Sequence, residues 1–447
     1  MNTNIFRDRD VRGKYPEEIN EDIFDKIGNA FAQCIKRDII VACDARNEST
    51  SLMNAFMDGA TKAEKGVTNI GMAPQACAIN WAIMQQKELA YITGSHLPKG
   101  QNGIKFFHTT GLIYHSSDMK QVYDAVVSGK YFYGIRAAPV KKEIQDILDI
   151  YVRNLASKIK SESNRRIKIL IDCGNGVNGM IAREVFSKAG FDVDVIFENP
   201  DGDFPNRGAD PRTDPLTELK KCVKKYDFGI AYDADGDRFF VVSNRGTMLT
   251  TEQILHVLLL KLKGYPGDVV TNVECGRAFD MVAEMHGRKV IRVKVGTYPM
   301  EEGVINNSAV AGIESSHHCF VPSVSTFSDA IAVSMLFSKS VDDSEKQLND
   351  IVKDVPIYPL IRKDYVCQDS KKFEIIKNIE KKMTEKYNNI NTIDGIRVEI
   401  DNGWALIRPS QTEGMIRLSV EADDEETLKC VEQEFSTIIE REISQAY

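Results

Sequence analysis

Short apolar runs alternate with turn residues and helix-compatible stretches along most of the chain. Ile39–Cys43 is followed by Asp44, Arg46 and Glu48, then by a helical stretch around Leu52–Lys65. Ile167–Ile171, apolar except for Lys168, runs into Gly174, Gly176 and Gly179, then Ile181–Ala189, then a strand-like Asp192–Phe197. Phe228–Tyr232 ends at an acidic loop, and Val269–Val273 precedes a helix around Ala278–Met285 and a strand at Lys289–Val295. Apolar strands that feed helices predict parallel sheets covered on both faces. Lys141–Ser163 predicts a connecting helix with Ile144, Ile147, Leu148 and Tyr151 near one face.

Past about Lys339 the chain becomes more polar. Strands at Ile396–Ile400 and Trp404–Ile407 flank an Asn402-Gly403 turn, Arg417–Val420 makes another strand, and Glu425–Ile443 a final amphipathic helix. A small α+β domain follows from that order. The most apolar stretch, Ile254–Leu262, is interrupted by His256 and Lys261 and is too short to span a bilayer.

Composition narrows the partners. The 447 residues carry 57 Lys and Arg against 65 Asp and Glu, a net charge of −8, which argues against a broad nucleic-acid surface. Nine scattered cysteines without a CxxC pair, and no signal-like N-terminus, predict a cytoplasmic protein without membrane association.

Four loops carry candidate chemistry. Asp233-Ala234-Asp235-Gly236-Asp237-Arg238 places three carboxylates at alternate positions after a buried strand. Such carboxylates converge on a hard cation, and oxygen-only ligation favours Mg²⁺, Mn²⁺ or Ca²⁺ over zinc. The plainer reading is a solvated acidic turn, but Arg238 offsets only one of the charges. Gly94-Ser95-His96-Leu97-Pro98 follows the strand-like Ala90–Thr93; it lacks a GxSxG elbow, so a serine triad is weaker than a merely structural Ser-Pro turn, and a phosphoryl carrier facing the metal is the preferred reading. Lys99 or Lys105 would stabilise the phosphoryl charge. Glu314-Ser315-Ser316-His317-His318-Cys319 offers Glu314 and Ser316 to sugar hydroxyls and His318 to proton exchange; a non-catalytic histidine turn is the main alternative, and zinc on His317, His318 and Cys319 the lesser one. Arg408-Pro409-Ser410-Gln411-Thr412-Glu413-Gly414, with Arg417 beyond, can surround a phosphate or form an ordinary hairpin loop.

In this order the four loops resemble the α-D-phosphohexomutase family. Thr93–Pro98 and Asn102-Gly103-Ile104-Lys105 resemble its TASHNP…NGxK serine loop, and Asp233–Arg238 its DGDGDR metal loop. Glu314–His318 resembles its GExSGH sugar loop, and Arg408–Gly414 its RPSGTEP phosphate loop. Phe6–Gly13 is similar to the opening FRxYDIRG, and Pro200–Pro205 to PDGxFP. Departures include Arg9, Leu97, Ala234, Thr297, Ile313, His317, Gln411 and Gly414.

The resemblance implies a four-domain α/β architecture around a central cleft. Three α/β domains (1–150 with the serine loop, 151–250 with the metal loop, 251–360 with the sugar loop) precede a smaller α+β phosphate-binding domain, 361–447. It implies interconversion of hexose 1- and 6-phosphates through phospho-Ser95, with Mg²⁺ held by Ser95, Asp233, Asp235 and Asp237, and with a hexose 1,6-bisphosphate as intermediate and activator. Arg12 and Arg238 would surround the transferring phosphoryl group, and Lys105 and His318 would carry protons. Glu314 and Ser316 would contact the sugar; Arg408, Ser410, Thr412 and Arg417 would grip the other phosphate. Asn102–Phe107 and the segment around Arg408–Arg417 resemble phosphoglucosamine mutases most, a pattern largely shared by phosphomannomutase/phosphoglucomutase enzymes. A metal-dependent sugar phosphatase and a non-catalytic phosphosugar sensor are the competing classes. Monomer and homodimer are both compatible with the sequence.

Overall fold

The computed structural model describes residues 3–134, 138–163, 165–410 and 414–446. Among these residues, three α/β sheets of six, four and four strands are followed by a five-stranded antiparallel sheet with two helices. The residues group into two compact units: one runs to Leu249 and takes in Ser316–Ile351, the other comprises Thr250–Ser315 and Val352 onward. The second boundary cuts the 251–360 segment just before the sugar-loop serine and histidines.

In the first unit, Ile39–Cys43 lies between Val67–Met72 and Glu88–Ile92, parallel to both. Gln101–Phe107 then pairs antiparallel with Glu88–Ile92, and Asp10–Lys14 antiparallel with Gln101–Phe107. This places Arg12 opposite Gly103 and Tyr91 opposite Lys105, so the opening segment and the serine loop share one sheet edge. Helices Glu21–Cys34 and Ser49–Lys62 cover the sheet. They touch backbone to backbone: a Cβ on Gly28 would lie 2.0 Å from Phe56 O, and one on Gly59 1.8 Å from Asp25 O. Glycine at both crossing points is what lets the aromatic cluster of Phe31, Phe56, Phe106 and Tyr114 close beneath them.

The next sheet runs Phe239–Ser243, Phe228–Tyr232, Lys168–Asp172, Asp192–Ile196, with only the first strand antiparallel. All five residues of Phe228–Tyr232 and of Phe239–Ser243 are buried. Helix Ala330–Asp343 belongs to this unit and sets Phe337 against Phe228 and Phe239.

In the second unit, Val269–Asn272 pairs in parallel with Val290–Val293 and Ala311–Ile313. The last sheet is antiparallel, in the order Leu360–Val366, Met415–Ala422, Gly403–Pro409, Ile396–Ile400, Ile390–Asn391, under helices Lys372–Lys386 and Glu425–Gln445. Among the described residues no helix is long and apolar enough to cross a membrane.

Candidate functional site

The Asp233–Arg238 turn joins two fully buried antiparallel strands, with Tyr232 opposite Phe239. Both ends are thus anchored in the core, and the carboxylates cannot swing to water: Asp233 and Asp235 are 0 % exposed and Asp237 4 %. One oxygen of each lies within 4.8 Å of the others, the only such cluster among the described residues. Burial, then the charges of Asp237 and Asp235, push the Asp233 carboxyl well above the usual range. Asp233 Oδ2 and Asp235 Oδ1 accept no hydrogen bond although both are buried. Buried orphan acceptors cost about 1–3 kcal/mol each, more when charged. Three convergent carboxylates with unused oxygens are the donor set of a hard divalent cation. The turn depends on Gly236, at φ +78°, where a Cβ would fall 2.2 Å from Asn178 Oδ1. Asn178 Nδ2 donates to Gly236 O at 3.2 Å, and Arg207, paired with Asp172, donates to Tyr232 O at 2.6 Å.

The serine loop reaches this turn through Lys105 and Thr93. Lys105 Nζ donates to Asp235 Oδ2 at 2.8 Å, Asp237 Oδ2 at 2.7 Å and Gln75 Oε1 at 3.0 Å, and stands 3.5 Å from Ser95 Oγ. Burial opposes the ammonium charge, but Asp235 and Asp237 outweigh it and hold the group above its ordinary range. Thr93 Oγ1 faces Asp235 Oδ2 at 3.1 Å and accepts from Ser95 N at 2.7 Å. Ser95 itself is buried and left-handed, φ +50°, a conformation that a serine holds only when its surroundings impose it. Gln75, absent from the sequence reading, bridges Lys105 and Asp237, donating to Asp237 Oδ2 at 3.2 Å. It opens the helix Gln75–Gln85, and no motif marks it.

Two arginines bear on the serine and metal loops. Arg12 Nη1 donates to Thr93 O at 2.6 Å and its Nε to Asp10 at 2.8 Å. Arg238 is buried, its charge favoured by Asp233 and Asp237 against the cost of burial. His96, 3.4 Å from Ser95 Oγ, is held neutral first by the Arg238 charge, then by burial and Arg12. Lys99 instead points to solvent and pairs with Asp203 at 2.6 Å; of the two lysines weighed, Lys105 is the one against Ser95.

His318 meets the metal loop through a backbone bridge to Arg238. Arg238 Nε donates to His318 Nε2 at 3.2 Å, which puts the ring proton on Nδ1, facing Ser316 Oγ at 3.0 Å. The tautomer is inferred from these partners. His318 Nε2 lies 3.3 Å from Asp237 Oδ1. The three residues of the zinc alternative diverge: the His317 ring lies tilted against Phe240, centroids 4.2 Å apart, and Cys319 Sγ faces the His317 carbonyl. Burial lowers His317 to about 3, with Arg212 and Arg238 adding to the effect.

In the second unit, Glu314 is buried and accepts from Gly296 N at 2.9 Å. Arg408 and Arg417 sit directly opposite each other on neighbouring strands. Like charges so placed repel. Here each has a carboxylate: Glu274 and Asp394 flank Arg408 at 3.1 and 3.0 Å, and Asp364 lies 3.3 Å from Arg417. None of these three acids stood out in the sequence. Ser410 is buried, its N–H bonded to Met415 O at 2.8 Å. Thr412 lies outside the described residues.

Four sequence-family models match in succession: the phosphoglucomutase/phosphomannomutase alpha/beta/alpha domains I, II and III over residues 3–131, 149–246 and 250–358, and the C-terminal domain over 365–438. Among curated relatives, probable phosphoglucosamine mutases of Methanopyrus kandleri and Methanosphaera stadtmanae are each 28% identical, with 96% of this chain and 96% of the relative covered. A crystal structure of a phosphoglucomutase/phosphomannomutase family protein from Burkholderia thailandensis superposes with a TM-score of 0.88 at 24% identity, covering 99% of this chain and 98% of that one. A Paramecium phosphoglucomutase, parafusin, gives 0.75 at 16% identity over 99% and 95%.

Proposed function

Since the chain belongs to the α-D-phosphohexomutase superfamily, whose activity is intramolecular phosphotransfer on a sugar, we propose that it interconverts glucosamine 6-phosphate and glucosamine 1-phosphate through phospho-Ser95. The observation that carries this reading is the Lys105 ammonium, which touches Asp235 and Asp237 while standing 3.5 Å from Ser95 Oγ. One cation thus joins the serine to the metal-ligand trio. The names of the relatives from Methanopyrus kandleri and Methanosphaera stadtmanae favour glucosamine phosphate over glucose or mannose phosphate.

Asp233, Asp235 and Asp237, with the Ser95 oxygen, would hold Mg²⁺, which when bound supplies neutralisation of charge on the transferring phosphoryl oxygens. The rest falls to the chain. The sugar hydroxyl oxygen attacks phosphorus, its O–H proton passes to His318 Nε2, and the phosphorus–Oγ bond of Ser95 breaks. Lys105 then gives a proton to the departing Oγ. Arg12 and Arg238 bear on the phosphoryl charge. The bisphosphorylated sugar returns its other phosphoryl group to Ser95, restoring the starting enzyme; added 1,6-bisphosphate would prime it. Glu314 and Ser316 are assigned to sugar hydroxyls. Arg408, Ser410, Thr412 and Arg417 are assigned to the phosphate that does not react, Arg408 exchanging a carboxylate partner for it.

The test is a coupled mutase assay across glucosamine, glucose, mannose and N-acetylglucosamine phosphates, with Mg²⁺ and catalytic bisphosphate. Glucosamine phosphate should be the preferred substrate. Ser95→Ala should lose the phosphorylated species in the intact mass and fall to near-zero turnover. Full activity of that variant would overturn the role of Ser95. Release of inorganic phosphate without isomerisation would make the protein a phosphatase, and binding without turnover by phosphorylated protein a sensor.

A further inference from the structure

The Asp44–Arg46 turn and the Pro200–Pro205 segment have so far no part in the chemistry, yet both converge on the serine loop. Arg46 is 2 % exposed. Its Nη2 donates to Ser95 O at 2.7 Å and Leu97 O at 2.6 Å, and its Nη1 to Pro98 O at 3.1 Å. Its Nε pairs with Asp44 Oδ2 at 3.2 Å. The same carboxylate accepts from Gly94 N at 3.1 Å and Thr93 Oγ1 at 2.8 Å. One planar fork and one carboxylate thus hold Thr93, Gly94, Ser95, Leu97 and Pro98. From the Pro200–Pro205 side the Phe204 ring lies under the guanidinium, 5.1 Å from Cζ, and Asn47 ties Asp203 at 2.8 Å. The packing leaves no slack: a Cβ at Gly94 would fall 2.3 Å from Arg46 Nε.

We propose that Arg46, seated on Phe204, is the positioning residue of the phosphoryl-carrying serine: it imposes the left-handed backbone that aims Ser95 Oγ at Lys105 and the aspartate trio. The inference rests on the reading of Ser95 as the carrier. Arg46 makes no contact with the acid trio, and all its carbonyl partners are in the serine loop. Its effect therefore falls on the geometry of transfer, and a displacement of about 1 Å costs on the order of 100-fold in rate. A lysine keeps the charge beside Asp44 but has no fork to span three carbonyls.

Arg46→Lys is tested beside Ser95→Ala in the full-length protein, with phosphorylation scored by intact mass. The expected result is a kcat about 100-fold lower with KM within about twofold, and a displaced or broadened phosphoserine signal in ³¹P NMR. Phe204→Leu, which keeps every hydrogen bond of the guanidinium, should move kcat and the signal in the same direction by less, and serves if Arg46→Lys does not fold. Wild-type kcat in either folded variant, with an unmoved signal, would overturn the inference while inactive Ser95→Ala left the carrier reading standing. An active Ser95→Ala would remove the carrier reading itself.

Discussion

Single side chains set the charge balance at the site, and Lys105 is the decisive one. Its ammonium neutralises part of the trio, while Asp233 Oδ2 and Asp235 Oδ1 stay without a donor. Losing the Asp235 charge removes an anionic oxygen at the centre of the cluster. Asp235→Asn should weaken Mg²⁺ at least tenfold, because changes in outer-shell partners alone cost about 10–100-fold; calorimetric titration reads it, and an unchanged Kd would take Asp235 out of the ligand set. Gly236→Ala tests the backbone instead. The residue sits at φ +78° against Asn178, so the variant should lose about 1–3 kcal/mol of stability as well as metal affinity. Denaturant titration with and without Mg²⁺ separates the two losses, and wild-type stability would show that the turn relaxes freely. At this scale the acids were legible because alternate carboxylates after a buried strand have few other uses. Gln75, Glu274, Asp364 and Asp394 were not, because each acts through a contact made by tertiary folding and carries no local signature.

Elements that deliver these residues were legible where one chemical pattern ran through them. Phe228–Tyr232 and Ile39–Cys43 are continuous apolar runs and form strands over those same residues. Phe239–Ser243 escaped notice because, among the described residues, its strand partner is the run on the other side of the acidic turn, a pairing that a loop read by itself does not suggest. Helix Ala330–Asp343 was hidden for a different reason. It is buried on nearly every side, so no amphipathic stripe marks it. Its N-cap, Asp329, accepts from Ala332 N at 2.9 Å and from the Tyr151 hydroxyl at 2.7 Å, and burial raises its carboxyl to about 6. An acid whose folded value lies above its unfolded value, near 3.8, favours the fold most when protonated. That contribution is complete below about pH 3.8 and is lost as pH rises through 6. Asparagine caps as well and does not titrate. The stability of the parent relative to Asp329→Asn should therefore fall by about 2–3 kcal/mol between pH 4 and pH 7, as read by urea denaturation at each pH. A difference independent of pH would mean that Asp329 is charged in the fold throughout.

At the scale of the whole molecule, chemistry is divided between the two compact units. Ser95, Lys105, the aspartate trio and His318 all belong to the unit that takes in Ser316–Ile351; Glu314, Arg408, Ser410 and Arg417 belong to the other. Chain order alone suggests a boundary near residue 250 and gives no sign that the chain returns to the first unit at Ser316. That return is made by His318 at the Arg238 bridge and by Phe337 against Phe228 and Phe239. Metal binding must then act on the stability of the first unit, since every oxygen of the trio lies there. A ligand at 100 times its Kd that binds only the folded state stabilises by about 2.7 kcal/mol. For a unit of this size, at about 2.1 cal/mol/K of unfolding entropy per residue, that is a rise of about 4–5 °C in Tm. Thermal scans in Mg²⁺ against EDTA should show the rise, and Asp235→Asn should abolish most of it. Hydrogen exchange should place the added protection at residues 93–98 and 233–238, where the carboxylates and the serine loop share Lys105 and Thr93. Protection confined to the segments around Glu274, Asp364 and Asp394 would instead put the ion among the arginine-paired acids of the second unit, and the trio would lose its assignment.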